Sequence, residues 1–116
     1  MIQQETQRLL QLFGMARRAG KIAQGFDAAA GALVKGEAAE VFRAEDCAPR
    51  TQRNIARIAE EVGAPVLSVP CTRAELGKAI GCPPTGIVAL TDRNFAKKAR
   101  TLVPAMPESS KEENKL

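Results

Sequence analysis

Short apolar segments alternate with helical patterns along this chain, and this alternation restricts the fold more than any other feature of the sequence. Four segments are typical of strands: "KIAQ", "AAEVFRAE", "PVLSV" and "GIVALT". The last is apolar almost throughout, as in strands that are buried on both faces. Strands that alternate with helices predict the α/β class, as a three-layer α/β/α sandwich on a small mixed four-stranded sheet.

Local signals set the helix boundaries. Gly20 and Gly36 follow helical patterns where a left-handed C-terminal glycine belongs, and Pro49 suits a first helical position. Thr72 and Glu75 have the spacing of a capping box. The predicted helices cover residues 2–19, 26–34, 49–62, 72–80 and 92–103. We expect residues 1–103 to form one domain and residues 104–116, "PAMPESSKEENKL", to be a polar, disordered tail.

Composition excludes several classes of site. The chain has no histidine, which removes the usual nucleophile–histidine pairs and the commonest metal ligand. Its three cysteines, Cys47, Cys71 and Cys82, lack the spacing of a zinc site and are odd in number for a disulfide framework, and Cys82 is expected to be the most exposed. We therefore expect no cofactor and no metal.

No apolar run is long enough to span a membrane, and the polar N-terminus is not typical of a signal peptide. A cytoplasmic location is expected, with no membrane partner. The net charge of +4 is modest and favours a polyanionic partner.

Two predicted strands end in acids, Glu45 and Asp46 at one and Asp92 at the other. Acids at strand ends could bind a metal ion for hydrolysis. Asp46 and Asp92 also precede helices, where aspartate is a good N-cap, and no glycine-rich phosphate loop accompanies them. The N-cap interpretation is favoured over the hydrolase.

Basic residues are densest around the segment "GKIAQGFDAAAGALVKG". Arg17, Arg18 and Lys21 flank its first glycine, and Lys35 closes the second helix. These residues could bind phosphates, although Arg17 and Arg18 would also complement the C-terminal end of the first helix.

The third helix carries a second basic group on the side opposite its apolar stripe. Arg50, Arg53 and Arg57 could follow a phosphate backbone, but a solvated face in which Glu60 and Glu61 pair with Arg57 is favoured.

Aromatic residues argue against a base-stacking platform. The chain has no Tyr or Trp, and three of its four phenylalanines lie in core patterns. Phe26, at the start of the second helix, is the one that the pattern leaves free to be exposed.

Four segments then resemble a known family in their order along the chain: "LLQLFGMARRAGKIAQGFDAAAGALVKG", "RAEDCAPRTQRNI", "VPCTRAELGKAIG" and "GIVALTDRNFAKKA". They are similar to the kink-turn-binding ribosomal protein family, whose members include ribosomal and small ribonucleoprotein core proteins, and in particular to its bacterial YlxQ-like branch. The resemblance covers residues 8–102.

The resemblance implies a binding site in two parts. In the family, a Gly-x-Asn-Glu-x-x-Lys pattern at the start of the second helix reads sheared G·A pairs of a bent RNA. Here Gly25 matches the glycine and Phe26 the variable position, while Asp27, Ala28 and Gly31 stand where Asn, Glu and Lys are expected. In the family, a loop before the last strand covers a flipped-out base. The matching residues here are Cys82, Pro83, Pro84 and Thr85.

The sequence therefore predicts a monomeric, non-enzymatic RNA-binding protein of the ribosome or another ribonucleoprotein, with structured, kink-turn-like RNA and ribosomal proteins as partners. The bare start of the second helix would offer backbone N–H groups and the Asp27 carboxylate in place of the missing side chains. One alternative is a protein-interaction module on the same fold. A remote alternative is the metal-dependent hydrolase.

Overall fold

The computed structural model describes residues 3–103, and the predicted tail lies outside them. Five helices and four strands alternate along these described residues. The elements are α1 (Gln4–Arg18), β1 (Ile22–Gln24), α2 (Phe26–Val34), β2 (Glu40–Ala44), α3 (Pro49–Val62), β3 (Val66–Val69), α4 (Arg73–Ile80), β4 (Ile87–Leu90) and α5 (Arg93–Leu102).

The strands form one mixed sheet in the order β1-β4-β2-β3. Strand β2 pairs in parallel with β3, whereas β4 is antiparallel to both of its neighbours. Strands β1, β2 and β3 therefore end at the same edge of the sheet, which we call the carboxyl edge, and β4 begins there. The opposite edge is the amino edge.

Helices cover both faces of the sheet, which confirms the predicted three-layer sandwich. Side chains alternate along β2, so that Phe42 contacts the layer formed by α1, α4 and α5, and Val41 contacts the layer formed by α2 and α3. The Phe13 and Phe42 rings pack with centroids 5.0 Å apart in the first layer, and Ile55 is fully buried in the second.

The local signals act as predicted. Thr72 and Glu75 form a capping box at the start of α4, the Asp92 carboxylate accepts the Phe95 N–H at the start of α5, and Pro49 is the first residue of α3. All four residues of β4 are buried.

One cap prediction is wrong. The N-cap of α3 is Ala48, and Asp46 does not cap that helix. Asp46 instead accepts the backbone N–H of Arg73 at 2.7 Å, and its second oxygen lies 3.6 Å from the Arg73 guanidinium. The Asp46 carboxylate therefore stabilises the start of α4, because the helix dipole and the free N–H groups favour an anion there.

Candidate nucleic-acid interface

Gly25 turns the chain from β1 into α2 at the carboxyl edge. Its φ of 90° and ψ of 164° lie in a region that is almost restricted to glycine. Its N–H donates to the carbonyl of Ile87 at 2.8 Å, and no side chain within residues 3–103 caps α2. The N–H groups of the first turn are thus oriented outward without a capping side chain, an arrangement that suits anions and other hydrogen-bond acceptors.

The first turn of α2 presents small or acidic side chains. Asp27 and Ala28 are exposed, and Asp27 adds a carboxylate beside the helix N-terminus. Phe26 is half-buried and packs on the core between α2, α3 and the sheet, so its ring is only partly available for stacking. Gly31 lies in the second turn, where an added Cβ would meet nothing within 4 Å.

The segment Gly81–Gly86 connects α4 to β4 and lies at the same edge. Pro83 and Pro84 are exposed, whereas Cys82 and Thr85 are half-buried. The Cys82 N–H donates to the Gly77 carbonyl at 2.9 Å, and the Thr85 N–H donates to the Arg73 carbonyl at 3.1 Å. Backbone bonds at both ends therefore hold this loop against α4.

Gly77 explains how closely the loop approaches α4. A Cβ at this buried position would meet the carbonyl oxygens of Pro83 and Cys82, the latter at 2.8 Å. Only a residue without a side chain allows the loop backbone to lie directly on the helix.

The two segments share one acceptor. The Thr85 hydroxyl donates to the Ile87 carbonyl at 3.2 Å, and the Gly25 N–H donates to the same oxygen. The start of α2 and the loop before β4 are therefore held in a defined relative position by the first residue of β4.

Arg17 links the two segments from the other side of the sheet. Its guanidinium donates to the side chain of Gln24, the residue before Gly25, and to the carbonyl of Ile80, the last residue of α4, at 3.2 Å. Arg17 thus braces the site through hydrogen bonds within the protein. Arg18 is exposed.

Lys21 and Lys35 lie away from this site. Lys21 precedes β1, and Lys35 is the C-cap of α2, so both are at the amino edge. Lys35 is separated from Gly25 by the whole length of α2, about 14 Å at 1.5 Å per residue. The expected basic group around the segment is therefore divided between the two edges.

The three acids on which the hydrolase alternative depends also lie at different edges of the sheet. Glu45 and Asp46 follow β2 at the carboxyl edge, whereas Asp92 follows the antiparallel strand β4 and lies at the amino edge. The sequence places all three acids at strand ends, but the direction of β4 in the sheet is a non-local property that local patterns do not encode. Within residues 3–103, no group of three His, Cys, Asp or Glu side chains is arranged to hold a metal ion.

Burial protects two of the three thiols. Cys47 and Cys71 are buried, and Cys82 is half-buried. Burial raises the pKa of the Cys47 thiol, and burial together with nearby carboxylates, Glu75 foremost, raises the pKa of Cys71 to about 12. Both therefore remain protonated near neutral pH.

No helix in residues 3–103 is both long enough and apolar enough to cross a membrane.

Comparisons with known proteins agree with this architecture. The sequence profile of the ribosomal protein L7Ae/L30e/S12e/Gadd45 family matches residues 7–100. The RNA-binding protein YlxQ of Bacillus subtilis is 32% identical over 92 residues, which cover 79% of this chain and 91% of YlxQ.

Two solved structures are similar in fold. A protein of unknown function from Bacillus halodurans superposes with a TM-score of 0.75 and 26% identity, over 81% of this chain and 94% of its own. The 15.5 kD RNA-binding protein of Giardia lamblia superposes with a TM-score of 0.70 and 20% identity, over 89% of this chain and 93% of its own.

Proposed function

The chain belongs to the ribosomal protein L7Ae/L30e/S12e/Gadd45 family, and on that premise we propose that it is a non-enzymatic protein that binds structured RNA. The start of α2 and the loop Cys82–Thr85 form the contact surface, and the preferred RNA is sharply bent or has an internal loop. The protein acts as a monomer within the ribosome or another ribonucleoprotein.

The shared hydrogen-bond acceptor at Ile87 is the observation that carries this proposal. The Gly25 N–H and the Thr85 hydroxyl both bond to that carbonyl, so the two segments are arranged before any ligand arrives. A surface that is already ordered loses little conformational entropy on binding. The names of YlxQ and the Giardia protein, both RNA-binding proteins, support RNA as the ligand.

Asp27 is proposed to read guanine. A sheared G·A pair leaves the N1–H of guanine and one N–H of its N2 amino group free, and an exposed carboxylate can accept both. The small side chain of Ala28 would let the RNA backbone approach the free N–H groups of α2. Ala28 and Gly31 stand where the family pattern has Glu and Lys, so shape contributes more to the specificity of this chain than side-chain contacts do.

Phosphate affinity comes from fewer basic residues than the sequence indicated. Arg18 is exposed. The guanidinium of its neighbour Arg17 is instead hydrogen-bonded to the Gln24 side chain and the Ile80 carbonyl. Lys21 and Lys35, at the amino edge, contribute through the long-range field and are screened by salt.

The test is a titration of labelled kink-turn RNA beside a straight duplex of equal length, each at low and high salt. We expect tighter binding to the kinked RNA at both salt concentrations. Asp27→Ala should remove most of this preference, whereas Glu37→Ala, which removes an exposed carboxylate beyond the far end of α2, should preserve it.

Other outcomes would contradict parts of the proposal. Equal, salt-sensitive binding to both RNAs would mean a basic protein without a kink reader. If neither RNA binds, the RNA proposal fails, and the small, bare start of α2 becomes a candidate protein contact, which would be nearly insensitive to salt.

A further inference from the structure

Four arginines lie on the α2–α3 side of the sheet, and we call this group the α3 arginine face. Arg50, Arg53 and Arg57 recur along α3 and are exposed, and Arg43 projects from β2 beneath them. Arg43 and Arg53 line the same shallow groove, together with Gln52, Ala56 and Val66. The face therefore extends from the helix surface into a groove beside the edge strand β3.

This face has no carboxylate partner in the described part of the chain. The ion pairs within residues 3–103 are Arg73–Asp46 and Arg100–Glu40. Glu60 and Glu61 lie at the end of α3 with the spacing to pair with Arg57, yet the structure forms no such pair. The pairs that the sequence allows between these acids and Arg57 are therefore not formed within residues 3–103.

The placement of these charges opposes the stability of α3. Arg53 and Arg57 are four residues apart, a spacing at which like charges repel on a helix. Arg50 lies in the first turn, which contains no acidic residue and where the helix dipole disfavours a cation. An external polyanion would relieve both effects, whereas a solvated face selected for stability would place acids at these positions.

The face is adjacent to the proposed RNA contact. Helices α2 and α3 pack side by side on the same sheet face, and both begin at the carboxyl edge. Glu45 and Asp46 are the acids that precede α3 in the chain, and Asp46 is held by Arg73. From Arg50 to Arg57 the helix rises about 10 Å, enough to follow more than one phosphate of a strand.

We propose that the α3 arginine face binds the phosphate backbone of a helical stem that flanks the RNA segment docked at the start of α2. This inference rests on the proposed function. The start of α2 would select the RNA. The α3 arginine face would supply salt-dependent affinity, because Lys21 and Lys35 lie at the opposite edge of the sheet from the start of α2.

The test combines two variants with two RNAs. Arg53→Gln/Arg57→Gln removes two charges from the face. Lys97→Gln/Lys98→Gln removes two exposed charges from α5, on the opposite side of the sheet, and is the matched control. The RNAs are the kinked RNA with long stems and the same RNA with its stems trimmed to a few base pairs. Urea denaturation of each variant checks that the fold is intact.

We expect the arginine variant to bind the long-stem RNA about tenfold more weakly, with the slope of log affinity against log salt reduced by about 1 to 2. Its affinity for the trimmed RNA should stay close to that of the parent protein. The lysine variant should change both affinities little.

Two results would overturn the inference, and they are distinguishable. If the arginine variant matches the lysine variant on both RNAs while Asp27→Ala still loses the kink preference, the α3 arginine face is not a stem contact and the proposed function stands. If the unaltered protein binds neither RNA, the proposed function fails and this inference fails with it.

Discussion

Gly25 donates its backbone N–H to the carbonyl of Ile87 over 2.8 Å, although the two residues are far apart in the sequence. This bond joins the start of α2 to the first residue of β4, and it depends on a backbone conformation that other residues rarely adopt. One glycine and one strand end therefore contribute to the geometry of the candidate site.

Replacing Gly25 should destabilise the fold for a conformational reason. An added Cβ at Gly25 would meet nothing within 4 Å, so strain at its φ of 90° is the effect that remains. We expect Gly25→Ala to lower the free energy of unfolding by about 1–3 kcal/mol, measured by urea denaturation. Gly31→Ala, in the helical interior of α2, should instead raise it by about 0.5–1 kcal/mol. A loss of stability at Gly31 as well would contradict this explanation.

Lysine at position 31 should strengthen RNA binding. The family pattern has Lys there, and the open space around Gly31 accommodates a side chain. Relative to Gly31→Ala, which isolates the gain in helix propensity, we expect Gly31→Lys to increase affinity for kinked RNA by about 1 kcal/mol, or about fivefold. Equal affinities of the two variants would remove position 31 from the contact surface.

Gly77→Ala should displace the loop before β4. The added Cβ would collide with the backbone carbonyls of Pro83 and Cys82. We expect a loss of about 1–3 kcal/mol in unfolding free energy, because backbone must shift to relieve the overlap. Binding of kinked RNA should weaken in parallel. Lys78→Ala, which truncates an exposed side chain on the same helix, should leave stability within about 0.5 kcal/mol of the parent protein.

Stability should fall at alkaline pH because of Cys71. Its pKa is about 12 in the folded protein and 9.0 as a reference thiol, so its stabilising effect is complete below pH 9 and is lost as the pH rises towards 12. The slope is about 1.4 kcal/mol per pH unit between these values. From pH 8.5 to 10.5 the parent protein should lose about 2 kcal/mol more than Cys71→Ala. Parallel pH curves for the two proteins would rule out this thiol as the cause.

The ion pair between Glu40 and Arg100 allows the energetic cost of an unpaired buried carboxylate to be measured. The Glu40 carboxylate is 1% exposed and accepts the Arg100 guanidinium at 2.7 Å, while the Arg100 side chain is 58% exposed. We expect Arg100→Ala to reduce stability by about 1–3 kcal/mol, because it leaves a buried carboxylate without its partner. In a double-mutant cycle, adding Glu40→Gln to Arg100→Ala should recover part of the lost stability. Lys97→Ala is the exposed control, with a change within about 0.5 kcal/mol.

Local features of the fold could be predicted from the sequence. The capping box of Thr72, the cap of Asp92 and the first helical position of Pro49 depend on residues within one helical turn. The correct N-cap of α3 was also accessible, since Pro49 at the first helical position places the cap at Ala48 and leaves Asp46 two residues too early.

Non-local pairings could not be predicted in this way. The antiparallel central position of β4 decides that Asp92 lies far from Asp46, and the length of α2 separates Lys35 from Gly25. The hydrogen bonds of Arg17 to Gln24 and Ile80 depend on how α1 and α4 pack, which no local pattern encodes. The two segments of the candidate site can therefore be located from motifs, whereas the placement of the charges around them cannot.

The central position of β4 also has a consequence for synthesis of the protein. Strands β1 and β2 are not neighbours in the sheet, and each pairs with β4. A nascent chain that has not yet exposed residue 90 outside the ribosome cannot complete the sheet, and the Gly25 turn lacks its acceptor. Sheet closure is thus a late, long-range event, of the kind that folds slowly. Helices α1 to α4 emerge before β4, and the surface at the carboxyl edge forms only when almost the whole domain has been made.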